Sequence, residues 1–471
     1  MSGKPRLRWL ILPVVSGCAA LLCAQGGLDQ KVDATYRSAM ADYGAGQYAK
    51  AARQLEGVLP GATKSFEVHE LLGLTYASMA EDAKALNQLQ AAVQLKPDSA
   101  AGRTNLGAIL LRSGNAPEAA AQFRKALQLE PTNYDANRDL GELYARSGKV
   151  AEAQPLLAAA YRMKPDAYDN GYDLAMADFL LGRLDEARRI IQESAKEKNT
   201  GELHNLLAQV DEKQGRFVDA ANEYEAAAHL DPTEDNLFNW GSEMLLHRTY
   251  EPAITIFQAA VERYPNSARL RIGLGLAFYS RGKYDGAVKA LLKAAALTPR
   301  DARCYYFLSK AYDSSPGQAD EVIEAFRHYA ALEPRNALAQ YYYALSLWKG
   351  RRAGGAAADL NEVELLLKKS IALNDRLPEA HVQLGDLYAG EHMYAKSVPE
   401  YRRALELNSN LPDAHYRLAT DYVHVGEKEK AQQEFAIYQK LRAEHLAQVD
   451  KEHAEVKQFV YSAKMGAPGQ Q

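Results

Sequence analysis

The sequence predicts an all-α solenoid of about twelve stacked helix-turn-helix units, and two observations carry that prediction. The first is a period. Pro97, Pro131 and Pro165 stand 34 residues apart, Pro232 follows after 67, and Pro265, Pro299 and Pro334 come at steps of 33, 34 and 35. Repetition at this length marks supersecondary units that bury their apolar faces on one another, not one closed core. The second is a set of small residues in phase with the prolines. Gly73, Gly107, Gly141, Gly241, Gly275 and Gly385 share one position, which Ala175, Ala208, Ala344 and Ala419 take elsewhere. Ala51, Ala85, Ala119, Ala153, Ala187, Ala220, Ala253 and Ala287 share another. Paired helices approach closely only where side chains at the crossing are small.

The third unit shows the elements in order. Leu106, Gly107 and Leu110 fall on one face of a first helix. Ser113-Gly114-Asn115 then breaks the pattern, because Gly and Asn tolerate turn conformations that other residues resist. Ala119, Phe123, Ala126 and Leu129 mark the packed face of a second helix at near four-residue steps. Pro131 ends it, since proline has no amide proton and disfavours helical geometry in the residue before it. The units start near residues 32, 66, 100, 134, 168, 201, 234, 268, 302, 337, 378 and 412. Units one, five and ten are degenerate. The tenth carries a Gly-, Ala- and Arg-rich insertion around Gly350 to Ala358, which is either a loop or a hinge between two blocks.

The recurring order of large residue, Leu, Gly/Ala, Tyr, Gly, Ala, Phe/Tyr, Ala and Pro resembles the tetratricopeptide repeat, over roughly residues 32 to 442. The resemblance implies a right-handed superhelix whose first helices line a concave groove, and a protein or peptide partner held there. It implies no cofactor.

The two ends depart from the repeat. Lys4, Arg6 and Arg8 precede an apolar run from Trp9 to Leu22 with small residues after it, as in a secretory signal, so residues 1–24 are expected to be a signal peptide cut after Ala24. Two other fates stay open. Val15-Ser16-Gly17-Cys18 resembles a lipobox with Cys18 as the lipidated residue, and the apolar run is short but conceivable as a retained anchor. The expected organisation is then a solenoid over 25–442, a C-terminal capping helix over 443–464 and a disordered tail over 465–471. Leu446, Val449, His453, Val456 and Val460 set one apolar stripe on the cap, which is expected to pack on the last unit.

Charge and motifs exclude several function classes. Losing Lys4, Arg6 and Arg8 leaves 53 basic residues against 60 acidic ones, a net of −7, with no general attraction for nucleic acid. Membrane contact is expected only through the N-terminal signal or a lipid anchor. Cleavage also removes Cys18 and Cys23, so the remaining Cys304 has no intramolecular disulfide partner and is expected to be a small buried residue. No phosphate loop, His-Glu-x-x-His metal motif or nucleophile elbow occurs in the 471 residues, which argues against an enzyme and against a metal site. His381 and His415 occupy equivalent positions in adjacent units and are candidates to face each other, but two histidines make a poor metal site. The function class expected is a scaffold or adaptor that binds a protein segment. The alternative is an envelope assembly factor resembling pilotin-type repeat lipoproteins of pili or secretion machinery.

Candidate binding residues follow from the resemblance. The clamp by which some of these repeats hold a chaperone's C-terminal carboxylate needs Lys, Asn and Arg at set positions. Here only Asn105 matches, and Glu70, Leu74, Asp135 and Asp139 stand where basic or amide groups are required. The asparagine ladder of sugar-transferring relatives has a partial counterpart in Asn105, Asp139, Asp173, Asn239 and Gln383, interrupted by Leu71, Leu206, Gly273, Phe307 and Tyr342. Amides there would bond an extended peptide in both directions. In the later units the fifth position, which in this family faces the concave side, is aromatic: Phe238, Tyr306, Tyr341 and Tyr416. Earlier units hold Glu70, Thr104 and Arg138 there. The aromatic set is the leading candidate groove surface, since tyrosine offers a large apolar face and a polar tip at low entropic cost. Tyr76, Tyr144, Tyr312, Tyr388 and Tyr422 share a different, packing position.

Overall fold

The computed structural model describes residues 30–314, 318–352 and 359–443, together with 454, 456–458 and 460. The expected signal segment with Cys18, most of the insertion after Gly350 and most of the expected cap and tail lie outside these residues. Among the described residues the chain is all-helical, with twenty-four α-helices in twelve consecutive pairs and no strand. From the second repeat onward the first helices begin at Phe66, Ala100, Tyr134, Tyr168, Gly201, Glu234, Ala268, Ala302, Ala337, Pro378 and Pro412, the positions the period predicts. The tenth first helix, Ala337–Arg352, is longer than the usual 13 residues, and its partner resumes at Leu360.

Local chemistry explains these boundaries. Ser65, Ser99, Asn133, Thr200, Thr233 and Ser267 each cap a first helix by accepting a backbone N–H three residues on. Pro378 and Pro412 open the last two first helices, where proline's missing N–H costs nothing. Between the helices of ten of the twelve pairs one described residue takes a left-handed backbone, as Gly114 does at φ 82°. Ala80, Arg248 and His392 hold that conformation without being glycine.

The chain divides into two compact bodies, one reaching Glu223 and one starting at Tyr224. In the first, a cluster from Val32 to Leu140 is followed by a second from Ala153 to Val210. In the second, a large cluster runs from Phe238 to Tyr388, and a small one joins Tyr401, Leu418, Tyr422 and Ala431 in the last repeats.

The small residues sit where the helices of a pair meet. A Cβ on Gly73, Gly107, Gly141, Gly241, Gly275 or Gly385 would stand 2.6–2.8 Å from a side chain of Leu89, Phe123, Leu157, Phe257, Leu291 or Tyr401 respectively. Each of those side chains lies on the second helix of the same repeat. The eight alanines of the second helices are all fully buried.

A further regularity holds the turns between repeats. The Arg103 guanidinium donates to the Pro97 carbonyl at 2.7 Å, Asn137 to Pro131 at 2.9 Å, and Arg271 to Pro265. The Tyr305 hydroxyl donates to Pro299 at 3.1 Å, and His69 and His415 reach Thr63 and Ser409 from ring Nε2 at 3.1 and 3.0 Å. In every case the acceptor precedes the donor by six residues, so a side chain near the start of one repeat fastens the turn leaving the last. Asn137 also donates to the Asn133 carbonyl at 2.9 Å and is buried. Asn137→Leu is therefore expected to lower stability by about 1–3 kcal/mol, because two carbonyls lose a partner. Asn137→Arg or Asn137→His, donors found at the same place elsewhere, should recover part of the loss in denaturant titrations.

Candidate functional site

In the C-terminal body the four aromatic residues of the fifth position have different fates. Phe238 is fully buried, its ring 6.0 Å from that of Phe257 and beneath the Arg269 guanidinium at 4.6 Å. It is a core residue and presents no face to a ligand. Tyr306 and Tyr341 are half-buried and belong to one apolar cluster. The Tyr306 ring meets Phe307 edge-on at 5.0 Å and carries the Lys310 ammonium 5.1 Å from its centre. The Tyr341 ring lies 5.6 Å from Tyr342, and burial with the carboxylates Glu379 and Asp386 nearby pushes its phenol up. Tyr416 is 49% exposed and packs with Phe435 and Tyr438, apart from the other three. The structure thus sets Tyr306 and Tyr341 along one apolar cluster and leaves Tyr416 in the last repeat.

Polar groups near this surface join repeats eleven and twelve. The Tyr401 hydroxyl donates to Asp386 at 2.8 Å, and the Arg417 guanidinium pairs with the same carboxylate. The sequence carried no periodic signal for this pair, because Asp386 and Arg417 occupy different positions of their repeats.

In the N-terminal body Asn105 and Asp139 of the partial amide ladder are engaged by neighbouring side chains. The Asn105 amide donates to Glu70 at 3.1 Å, bridging the first helices of repeats two and three. Burial raises the Glu70 carboxyl to about 7, and the Asn105 bond opposes that rise only in part. Asp139 is buried and accepts from the adjacent Arg138 at 3.0 and 2.7 Å, and burial lifts its carboxyl to about 6 against the pull of that guanidinium. Asp173, Asn239 and Gln383 are half-buried. The packing tyrosines Tyr76, Tyr312, Tyr388 and Tyr422 are buried, with the hydroxyls of Tyr76 and Tyr388 donating to Glu56 and Glu364.

His381 and His415 do not face each other. Each turns to a glutamate in its own second helix, with Nδ1 of His381 2.7 Å from Glu400 and Nδ1 of His415 2.5 Å from Glu434. His204 and Glu223 repeat the pairing at 2.5 Å. The partner lies 19 residues along the chain, which brings it opposite on the antiparallel second helix. Among the described residues, no group of three or more His, Cys, Asp or Glu is placed to hold a metal ion. Cys304 is fully buried and burial raises its thiol to about 12, so it is inert at neutral pH. No described helix is long and apolar enough to cross a membrane.

Family profiles described as tetratricopeptide repeat match residues 110–159 and 145–210, 247–302 and 378–411. The chain is a tetratricopeptide-repeat protein. Its repeats make it a protein-interaction scaffold, and tetratricopeptide repeats are typically non-catalytic. No curated protein matches this tetratricopeptide-repeat sequence. Among solved structures the chain is similar to one titled Naa15/Naa10 bound to HypK-THB, at 18% identity over 86% of this chain and 68% of that one, with a TM-score of 0.39. It is also similar to PilW, described as a widely conserved type IV pilus biogenesis factor, at 23% identity over 44% and 96% of the two chains and a TM-score of 0.37. MamA matches at 20% identity over 37% and 96%, with a TM-score of 0.30.

Proposed function

We propose that this tetratricopeptide-repeat protein is an exported, non-catalytic adaptor that binds a protein segment on the inner faces of its C-terminal first helices. The observation that carries the reading is the pair Tyr306 and Tyr341. They occupy the same position in consecutive repeats, share one cluster and are only half-buried, so aromatic surface remains for a partner. Tyrosine in such a setting is a frequent source of binding energy. The Tyr306→Ala/Tyr341→Ala double variant is expected to weaken an isolated partner by about 1–2 kcal/mol, roughly five- to thirtyfold, in calorimetry. A folded double variant with unchanged affinity would move the site away from these rings.

Export is proposed on the basic, apolar and small-residue order of the N-terminus. It places the mature chain in the periplasm or outside the cell. The second reading, an envelope assembly factor held by a lipid, rests on Val15-Ser16-Gly17-Cys18. Mass spectrometry of the mature N-terminus separates the two. A diacylated Cys18 supports the lipoprotein, and an N-terminus at Gln25 supports the soluble adaptor.

A further inference from the structure

Five tyrosines share the packing position of their first helices, and one of them is not packed away. Tyr76, Tyr312, Tyr388 and Tyr422 are exposed to only 2–6%, whereas Tyr144 in the fourth repeat is half-buried. Beside it an open-sided cavity of about 390 Å³ lies between the second helices of the third and fourth repeats, Ala116–Leu129 and Val150–Met163. Leu127, Leu140 and Leu156 give it an apolar floor, and the exposed Arg124 and Glu152 line it from one second helix each.

The groups around the other tyrosines show what this cavity lacks. The Tyr76 hydroxyl donates to Glu56, 20 residues before it, and that of Tyr388 to Glu364, 24 residues before it. At the same offsets from Tyr144 stand Arg124 and Ala120, and neither side chain accepts a hydrogen bond. Eight residues after Tyr76, Tyr388 and Tyr422 come Lys84, Lys396 and Lys430, whose ammonium groups lie 5.1, 5.3 and 5.6 Å from the ring centres. Eight residues after Tyr144 comes Glu152. Lys149 approaches that ring to 5.7 Å, but from the turn before the second helix. The usual charges are thus exchanged, acid for base on both helices. Arg124 donates to the Ala120 carbonyl at 3.3 Å, and among the described residues neither it nor Glu152 is in an ion pair. The Tyr144 hydroxyl has no hydrogen bond among them either. An unmet hydroxyl alone opens no site, since that of Tyr312 is sealed in without a partner.

We propose that this cavity is a second docking surface, for a segment of another protein that inserts an apolar side chain between an acidic and a basic residue. The carboxylate takes the place that Glu56 and Glu364 hold elsewhere, accepting from the Tyr144 hydroxyl and pairing with Arg124. The cation pairs with Glu152 and covers the ring as the lysines of the other repeats do. The apolar side chain rests on Leu127, Leu140 and Leu156. All of these residues belong to the N-terminal body, so the inference stands or falls separately from the function proposed above.

The test uses the full chain with labelled leucine methyl groups. The probes are the blocked tripeptides acetyl-Glu-Leu-Lys-amide and acetyl-Lys-Leu-Glu-amide, which present the two charges in both orders. One of them is expected to cause saturable shifts in the methyl signals of Leu127, Leu140 and Leu156. Acetyl-Gln-Leu-Gln-amide should bind roughly fivefold more weakly, because both ion pairs are lost. In the Arg124→Glu/Glu152→Lys variant the chain supplies the carboxylate and the lysine itself, and neither charged tripeptide should cause a shift. Should that exchange disturb the helical signal, Arg124→Gln/Glu152→Gln is expected to weaken the peptide by roughly fivefold, and unchanged affinity there overturns the proposal. It is equally overturned by an absence of saturable shifts in the parent at about 10 mM of either peptide. Equal binding of the uncharged peptide, or undiminished shifts in the exchanged variant, has the same force. Tighter binding of free leucine than of the blocked peptides also overturns it, by assigning the cavity to a small zwitterion.

Discussion

Replacing Gly107 with leucine is expected to destabilise the protein by about 3 kcal/mol, at the upper end of the range for overpacking a filled site. A Cβ at this position would already lie 2.7 Å from the Phe123 ring, and Phe123 is fully buried with no room to withdraw. The helices Ala100–Arg112 and Ala116–Leu129 must then separate, or the ring must leave its rotamer. Gly107→Ala should cost less, because Ala175, Ala208, Ala344 and Ala419 occupy the same position fully buried in other repeats. Since each repeat is stabilised chiefly by its neighbours, the loss should appear first as faster hydrogen exchange in those two helices and then as a lower denaturation midpoint. A leucine variant that melts with the parent would show that the glycine is not a packing requirement.

The second large effect is a pH-dependent gain. Glu70 keeps its proton up to about pH 7 in the fold against an ordinary value of 4.5, because burial penalises the charged form. The folded chain therefore binds more protons than the unfolded one between those two values. Stability from this group is fully present below about 4.5 and is lost as pH rises towards about 7. Glu70→Gln keeps an acceptor for the Asn105 amide without the charge. It is expected to stabilise the protein by up to about 3 kcal/mol at pH 8 and by nothing measurable near pH 4, from paired denaturant titrations. A gain of equal size at both pH values would assign the effect to packing instead.

Much of the fold was legible because its signals are periodic and steric. Pro131 and Gly114 announce a helix end and a turn by what their backbones can and cannot do, so the helix starting at Tyr134 falls where the spacing puts it. Gly107 was legible as a contact because nothing larger fits. The binding surface was legible only in part. Phe238 and Tyr306 share a repeat position, yet one is sealed and the other half-open, and the difference lies in what covers each, which repeat position does not encode. The fasteners of the inter-repeat turns escaped notice for another reason. Arg103, Asn137, Tyr305 and His415 look unrelated as residue types, and only their common ability to donate a hydrogen bond unites them. The pairing of His415 with Glu434 was hidden similarly, since a fixed offset of 19 residues between unlike partners leaves no repeat of a single letter.

The contact between each helix-one glycine and its helix-two ring or leucine is closed within a single repeat. Gly107 meets Phe123 and Gly275 meets Leu291 without help from a neighbour. A stretch of gene encoding one whole repeat therefore carries both halves of its tightest contact wherever it is copied. Lineages can lengthen or shorten such a chain by whole repeats without orphaning a glycine from its partner, whereas an extra residue inside a helix would turn the glycine away from it. Length variation among descendants of this gene should accordingly come as whole repeats or as residues added between the two helices of a pair, as in the tenth repeat, where Ala344 and Leu367 both stay fully buried.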